Sequence, residues 1–87
     1  MSLTDLLEFP CEFPIKALGY SSQDFDVRMV EIVRRYSPDL GEGAVSSRPS
    51  RNGKYTAITI TIRAIDEAQL EAIYRELSAC DEVVMVL

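Results

Sequence analysis

The sequence predicts an α+β domain in which two helices cover one face of a four-stranded antiparallel sheet. Three observations carry that prediction. Ile58, Ile60, Ile62 and Ala64 alternate with Thr59, Thr61 and Arg63, the period-2 pattern of a strand with one buried face. Ser21 to Tyr36 and Asp66 to Ser78 instead repeat their apolar residues at helical spacing. Placed between the remaining apolar runs, these segments give the order βαββαβ.

The chain has 87 residues, the size of one domain spanning 1–87. A chain this short buries only about 60–70% of its unfolded surface, so nearly every apolar position is needed for the core. Residues 1–12 are expected to form an N-terminal arm. Within it LTDLLEFP has the makings of one helical turn, with Thr4 as cap, Leu6 and Leu7 reaching the core and Pro10 as the stop.

The first strand is predicted over Phe13–Gly19, where Phe13, Ile15 and Ala17 alternate with Pro14 and Lys16. Pro14 has no backbone donor and needs the start of a strand or an unpaired position. Gly19 is expected to permit the bend that ends the strand. The first helix is predicted from Ser21, with Ser21 and Asp24 at capping-box spacing, acids in the first turn and Arg34 and Arg35 in the last. Its buried face is Phe25, Met29, Ile32, Val33 and Tyr36, and Pro38 enforces the stop.

A loop with Gly41 and Gly43 leads to a weak strand over Ala44–Arg48, whose polarity and following Pro49 suit a sheet edge. Asn52-Gly53 is the expected reversal of a hairpin into the strong strand 55–64. The second helix is predicted from Asp66, with Gln69 reaching back to the cap and Leu70, Ile73 and Leu77 as the buried stripe. Val83–Leu87 is the last strand, apolar on both parities. Right-handed crossovers then give the sheet order 4-1-3-2, the ferredoxin-like arrangement with both helices on one face. The other face has no helices, and it is expected to expose Thr59, Thr61, Arg63, Tyr55 and one parity of the last strand. Either the N-terminal arm or a second copy of the chain would suit as its cover.

The net charge of −5 is unevenly placed. Residues 1–43 hold eight acids and four bases, and residues 65–87 hold six acids and one base. Between them, residues 44–64 hold no acid and four bases: Arg48, Arg51, Lys54 and Arg63. An acidic chain with one basic hairpin is a poor general ligand for nucleic acid or anionic membranes, whereas a local basic patch suits an anion or an acidic protein surface. RNA binding on a sheet of this topology uses aromatics on the two central strands; here those strands offer threonines, Arg63 and Lys16 instead. No apolar run is long enough to span a membrane. The first residues lack the basic start of a signal peptide, so the expected location is cytoplasmic.

Catalysis is disfavoured by composition. There is no histidine, which excludes Ser-His and Cys-His nucleophile pairs. Asp66-Glu67 and Asp81-Glu82 stand where acids serve a helix dipole or face solvent. Cys11 and Cys80 have no metal spacing and are expected to be reduced thiols. The glycines make no phosphate loop. No cofactor or metal is expected. The candidate binding residues are therefore those of the hairpin, Arg48, Ser50, Arg51, Lys54 and Tyr55, together with Arg63 on the open face.

The run Leu6-Leu7-Glu8-Phe9-Pro10, then Phe13, Lys16 and Gly19, then Arg48-Pro49-Ser50 with Gly53 and Tyr55, and the terminal Val84-Met85-Val86-Leu87 together resemble the YbeD-like family of small bacterial proteins. The resemblance runs over essentially the whole chain. It implies a ferredoxin-like fold similar to that of ACT domains, which bind amino acids and regulate metabolic enzymes. It supplies no catalytic or binding residue. The Asp-x-x-Gly-aliphatic turn of many amino-acid-binding ACT domains is replaced here by Gly19-Tyr20-Ser21-Ser22-Gln23-Asp24. Two functions are thus expected from sequence: a regulatory or protein-interaction module, able to form a homodimer, and an ACT-type sensor of small ligands.

Overall fold

A computed structural model describes residues 8–87. Its elements are β1 (Cys11–Tyr20), α1 (Phe25–Arg34), a short 3-10 turn (Glu42–Ala44), β2 (Val45–Pro49), β3 (Tyr55–Ala64), α2 (Glu67–Ala79) and β4 (Val83–Val86). The sheet order is β2-β3-β1-β4, all pairs antiparallel. This is the ferredoxin-like arrangement that the sequence predicts. The expected helical turn over 3–10 lies largely outside the described residues. Cys11 and Glu12, expected in the arm, belong to β1.

The two central strands, β1 and β3, pair over ten residues each, from Cys11↔Ala64 to Tyr20↔Tyr55. Paired residues of an antiparallel ladder share a face, so this register sets both sides of the sheet. Ile15, Ala17, Ile58, Ile60, Ile62 and Ala64 point toward the helices and are buried. Each buried isoleucine contributes roughly 1.5–3 kcal/mol. Phe25, Met29, Ile32 and Val33 of α1 and Leu70, Ile73 and Leu77 of α2 close the core from the other side.

Proline is tolerated in both strands for one reason. Backbone groups of successive strand residues point alternately to either neighbour. Leu87 N–H donates to the Lys16 carbonyl at 2.8 Å and Tyr20 N–H donates to that of Glu82 at 3.0 Å, so the even residues of β1 face β4. Pro14 is even and lies beyond the end of β4, so among the described residues no acceptor faces its missing donor. On the other side, Ser50 N–H donates to the Tyr55 carbonyl at 2.7 Å. Pro49 therefore turns outward from the edge strand β2.

The helix starts differ in their fidelity to the sequence pattern. At α2 the Asp66 side chain accepts from Gln69 N–H at 2.8 Å, as its capping spacing predicts. Gln69 reaches one residue further back than a capping box would, accepting from Ile65 N–H at 2.7 Å. Its amide then donates to the Tyr36 carbonyl at 2.8 Å, which ties the start of α2 to the end of α1. At α1 the expectation is wrong by a turn: the helix begins at Phe25, and Asp24 makes no side-chain cap. Ser21 instead spends its N–H on the Lys54 carbonyl at 3.0 Å and its hydroxyl on Thr56 at 2.7 Å. Competition from the hairpin thus wins over local capping.

Gly19 also plays a part that the sequence reading missed. It sits inside β1, not at a bend, paired with Thr56. A Cβ there would lie 2.5 Å from the Glu82 carbonyl oxygen and closer still to the Phe25 ring. The glycine is the gap into which Phe25 packs. In β4, Gly19 pairs with Val83 and Leu18 with Met85, leaving Val84 as a bulge. The bulge switches the parity of the strand. Val83 and Val86 both face the helices, while Met85, opposite Leu18, faces the open side.

Two predictions follow from the packing. Gly19→Ala is expected to lower stability by about 1–3 kcal/mol, because a tightly packed site has to open. Gly41→Ala, where a Cβ meets nothing within 4 Å, should stay within about 0.5 kcal/mol. Denaturant midpoints of the two variants check the contrast. The second concerns Tyr74, whose hydroxyl donates to the Leu87 carbonyl at 3.2 Å and whose pKa is raised above 10.0 by burial. The protonated phenol is the form the fold favours. Its stabilisation is complete below pH 10.0 and is lost as the pH climbs through the raised value. Subtracting the alkaline absorbance titration of Tyr74→Phe from that of the wild type should isolate a phenol that ionises above 10.0.

Candidate binding face and hairpin

The register that buries the isoleucines also composes the opposite face, row by row. One row crosses the sheet as Arg48, Ala57, Leu18 and Met85. The next is Ser46, Thr59 and Lys16, with Leu87 hydrogen-bonded beside Lys16. Toward the hairpin, Tyr20 and Tyr55 lie opposite each other, their ring centroids 5.5 Å apart. The Lys54 ammonium sits 5.3 Å from the Tyr55 ring centroid, a cation–π contact.

The hairpin turn is built by side chains. Gly53 N–H donates to the Ser50 carbonyl at 2.9 Å, placing Arg51 and Asn52 at the centre of the turn. Gly53 follows with φ 75°, a left-handed conformation suited to glycine. The expected reversal at Asn52-Gly53 is therefore displaced by one residue. The Ser50 hydroxyl accepts from Tyr55 N–H at 3.0 Å and donates to Asn52 at 3.1 Å. Asn52 also accepts from Lys54 N–H at 3.1 Å.

These contacts divide the six residues singled out from sequence. Arg48 and Tyr55 lie on the open face, Arg51 and Lys54 at the tip, and Ser50 is occupied with holding the turn. Arg63 stands apart, at the far end of β3 and about 27 Å from Tyr55 at the rise of an extended strand. It faces Glu12 across the sheet. Lys16 takes its place. It lines a depression of about 380 Å³ with Ser46, Ser47, Arg48, Ala57 and Thr59. Parity in β1 already puts Lys16 on this face in the sequence; that it lies one row from Arg48 follows only from the β1–β3 and β2–β3 registers.

Charge is segregated between the two sides. Among the described strand residues, the open face carries Lys16, Arg48 and Arg63 against a single acid, Glu12; Arg51 and Lys54 add two charges at the tip. Acids dominate the helices, with Asp26 and Glu31 on α1 and Glu67, Glu71 and Glu76 on α2. Three of the four arginines on or beside the helices are engaged: Arg28 with Glu82 at 2.9 Å, Arg35 with Glu76 at 2.6 Å, and Arg34 with the Leu40 carbonyl at 3.2 Å, while Arg75 is exposed on α2. The same open face also presents exposed Tyr20, Met85 and Leu87.

Cys11 and Cys80 are both free thiols packed against the core. Among the described residues, no group of three or more His, Cys, Asp or Glu is placed to hold a metal ion. No helix among them is long and apolar enough to cross a membrane.

The comparisons with known proteins agree with this architecture. A solution structure of protein HP0495 from Helicobacter pylori superposes with a TM-score of 0.72, covering 99% of this chain and 90% of that one at 17% identity. That likeness concerns the fold alone. A UPF0250 protein of Paraburkholderia phymatum is 42% identical over 82 residues, 94% of this chain and 92% of that one. UPF0250 protein NE1487 of Nitrosomonas europaea is 40% identical over 87 residues, the full length of both. Residues 4–87 match the family described as a protein of unknown function, DUF493. The chain belongs to that family, the group of YbeD-like bacterial proteins that its sequence resembles.

Proposed function

We propose that this chain is a small regulatory protein-interaction module of the cytoplasm, docking a partner on its helix-free sheet face and carrying no catalysis of its own. The observation that supports this reading most is the pairing of two properties on one surface. An acidic molecule gathers Lys16 and Arg48 beside exposed Tyr20, Met85 and Leu87. Charge on such a face steers and orients a partner, while apolar side chains supply the contact energy.

The edges of the sheet favour a face over an edge as the docking surface. Pro49 lies on β2, and β4 is four residues long with a bulge at Val84. Short, bulged or proline-bearing edges resist strand addition. A sensor of small ligands has less support. The Phe25 ring fills the space over Gly19, next to the β1–α1 turn where the motif of amino-acid-binding ACT domains is missing.

The test is capture by the tagged full chain from a bacterial lysate, comparing the wild type with Lys16→Glu/Arg48→Glu and Arg51→Glu/Lys54→Glu. All four residues are exposed, so each substitution should leave stability within about 0.5 kcal/mol. The first pair is expected to reduce recovery of a specific partner at least tenfold, and the turn pair to have the smaller effect. Undiminished recovery with the first pair overturns the reading.

A further inference from the structure

We infer that the site within this face is the trough over Ala57, and that its ligand is an acidic peptide segment carrying a large apolar residue close to a carboxylate. This inference rests on the docking face proposed above and specifies its occupant.

The trough follows from one small residue in a row of larger ones. Ala57 lies between Arg48 on β2 and Leu18 on β1 and is itself exposed. Thr59, one row along, lies between Ser46 and Lys16. The floor is therefore short side chains, and the walls are an arginine on one side and a lysine on the other. Strands are about 4.8 Å apart, so Arg48 and Lys16, two strands apart, stand close enough for their long side chains to reach one anion from opposite sides. Hydroxyls at Ser46 and Thr59 add donors to the same depression. No acid lines it.

The apolar half adjoins the trough without a break. Leu18 is the next residue in the Ala57 row, and Met85 is the one after it. Tyr20 and Tyr55 flank them one row toward the hairpin. A group seated between Leu18 and Met85 lies about 7 Å from the centre of the Ala57 position at the same strand spacing. Two residues apart in an extended segment span about 7 Å. A segment lying across the strands would thus place an Asp or Glu between Arg48 and Lys16, and a Leu, Met or aromatic residue on Leu18 and Met85, two positions away.

The alternatives fit these observations less well. A second copy applied face to face about a two-fold axis through the trough would bring Lys16 and Arg48 against the same charges on the other molecule. A nucleic acid would meet its phosphates at the trough, but the aromatic pair Tyr20–Tyr55 lies at one end of the sheet, tilted at 35° and in contact with Lys54; it is no open stacking platform of the kind single strands use.

Selection from random-sequence peptides displayed on phage, with the full-length protein as target, tests the inference. The expected result is enrichment of Asp or Glu two positions from Leu, Met or an aromatic residue. Synthetic peptides of the selected sequences should lose at least tenfold in affinity for Arg48→Glu and for Ala57→Trp, the latter filling the trough with no change of charge. Affinity should also fall with added salt. Amide spectra of both variants establish that they remain folded; should Ala57→Trp not fold, Ala57→Leu replaces it. Selected peptides without acidic residues, or affinities unchanged in both variants, overturn the inference. Displacement of the peptides by a single-stranded oligonucleotide at lower concentration than by the free acidic peptide also overturns it. The docking face itself fails on a different result, the unchanged capture by Lys16→Glu/Arg48→Glu, so the two failures are distinguishable.

Discussion

The ten-residue antiparallel register between β1 and β3 is the constraint on which the rest of the molecule depends. A slip by one residue would turn Ile58, Ile60 and Ile62 away from the helices and bring Thr59, Thr61 and Arg63 in. The cost of burying those polar groups makes the register unambiguous. The same pairing brings Lys16 opposite Thr59 and Leu18 opposite Ala57. The open face is therefore fixed by the demands of the core, although it contributes little to the core itself.

Phe25 and Gly19 show how that constraint propagates into the helical layer. The Phe25 ring needs the space that a Cβ on Gly19 would occupy, so the start of α1 is set by its seat on β1 as much as by local capping. Gln69 does the complementary job at the other end, joining Ile65, Asp66 and the Tyr36 carbonyl. The exposed pairs Arg28–Glu82 and Arg35–Glu76 add only modestly to these contacts, since solvent screens them.

The parts of this structure that were legible in the sequence are those governed by local periodicity. Alternation in residues 58–64 and the spacing of Phe25, Met29, Ile32 and Val33 reveal which face each element buries, and the Asp66 cap is written in its spacing from Gln69. Four features were not legible, each because a distant residue decides it. Ser21 abandons the helix for Thr56, thirty-five residues away. Val84 is bulged out by the match between β4 and the end of β1, which breaks the simple alternation of the last strand. Arg63 belongs by charge to the basic segment but by position to the other end of the sheet, facing Glu12. Lys16, isolated in sequence from the other bases, is brought to Arg48 only by pairing.

The separation of duties between the two faces of β3 explains why the basic residues are where they are. On the helix side, Arg28 and Arg35 pair with nearby carboxylates and Arg34 with the Leu40 carbonyl. Among the described strand residues the open side has one acid, Glu12, at the far end from Lys16 and Arg48. Keeping strangers off an edge would account for cations on β2, but Pro49 already serves there, and Lys16 lies on a central strand where there is no edge to guard. A lysine in the middle of a sheet face, level with Leu87 and adjoining Leu18, has no edge to protect, which is why the proposed docking face is built on it and not on the hairpin tip.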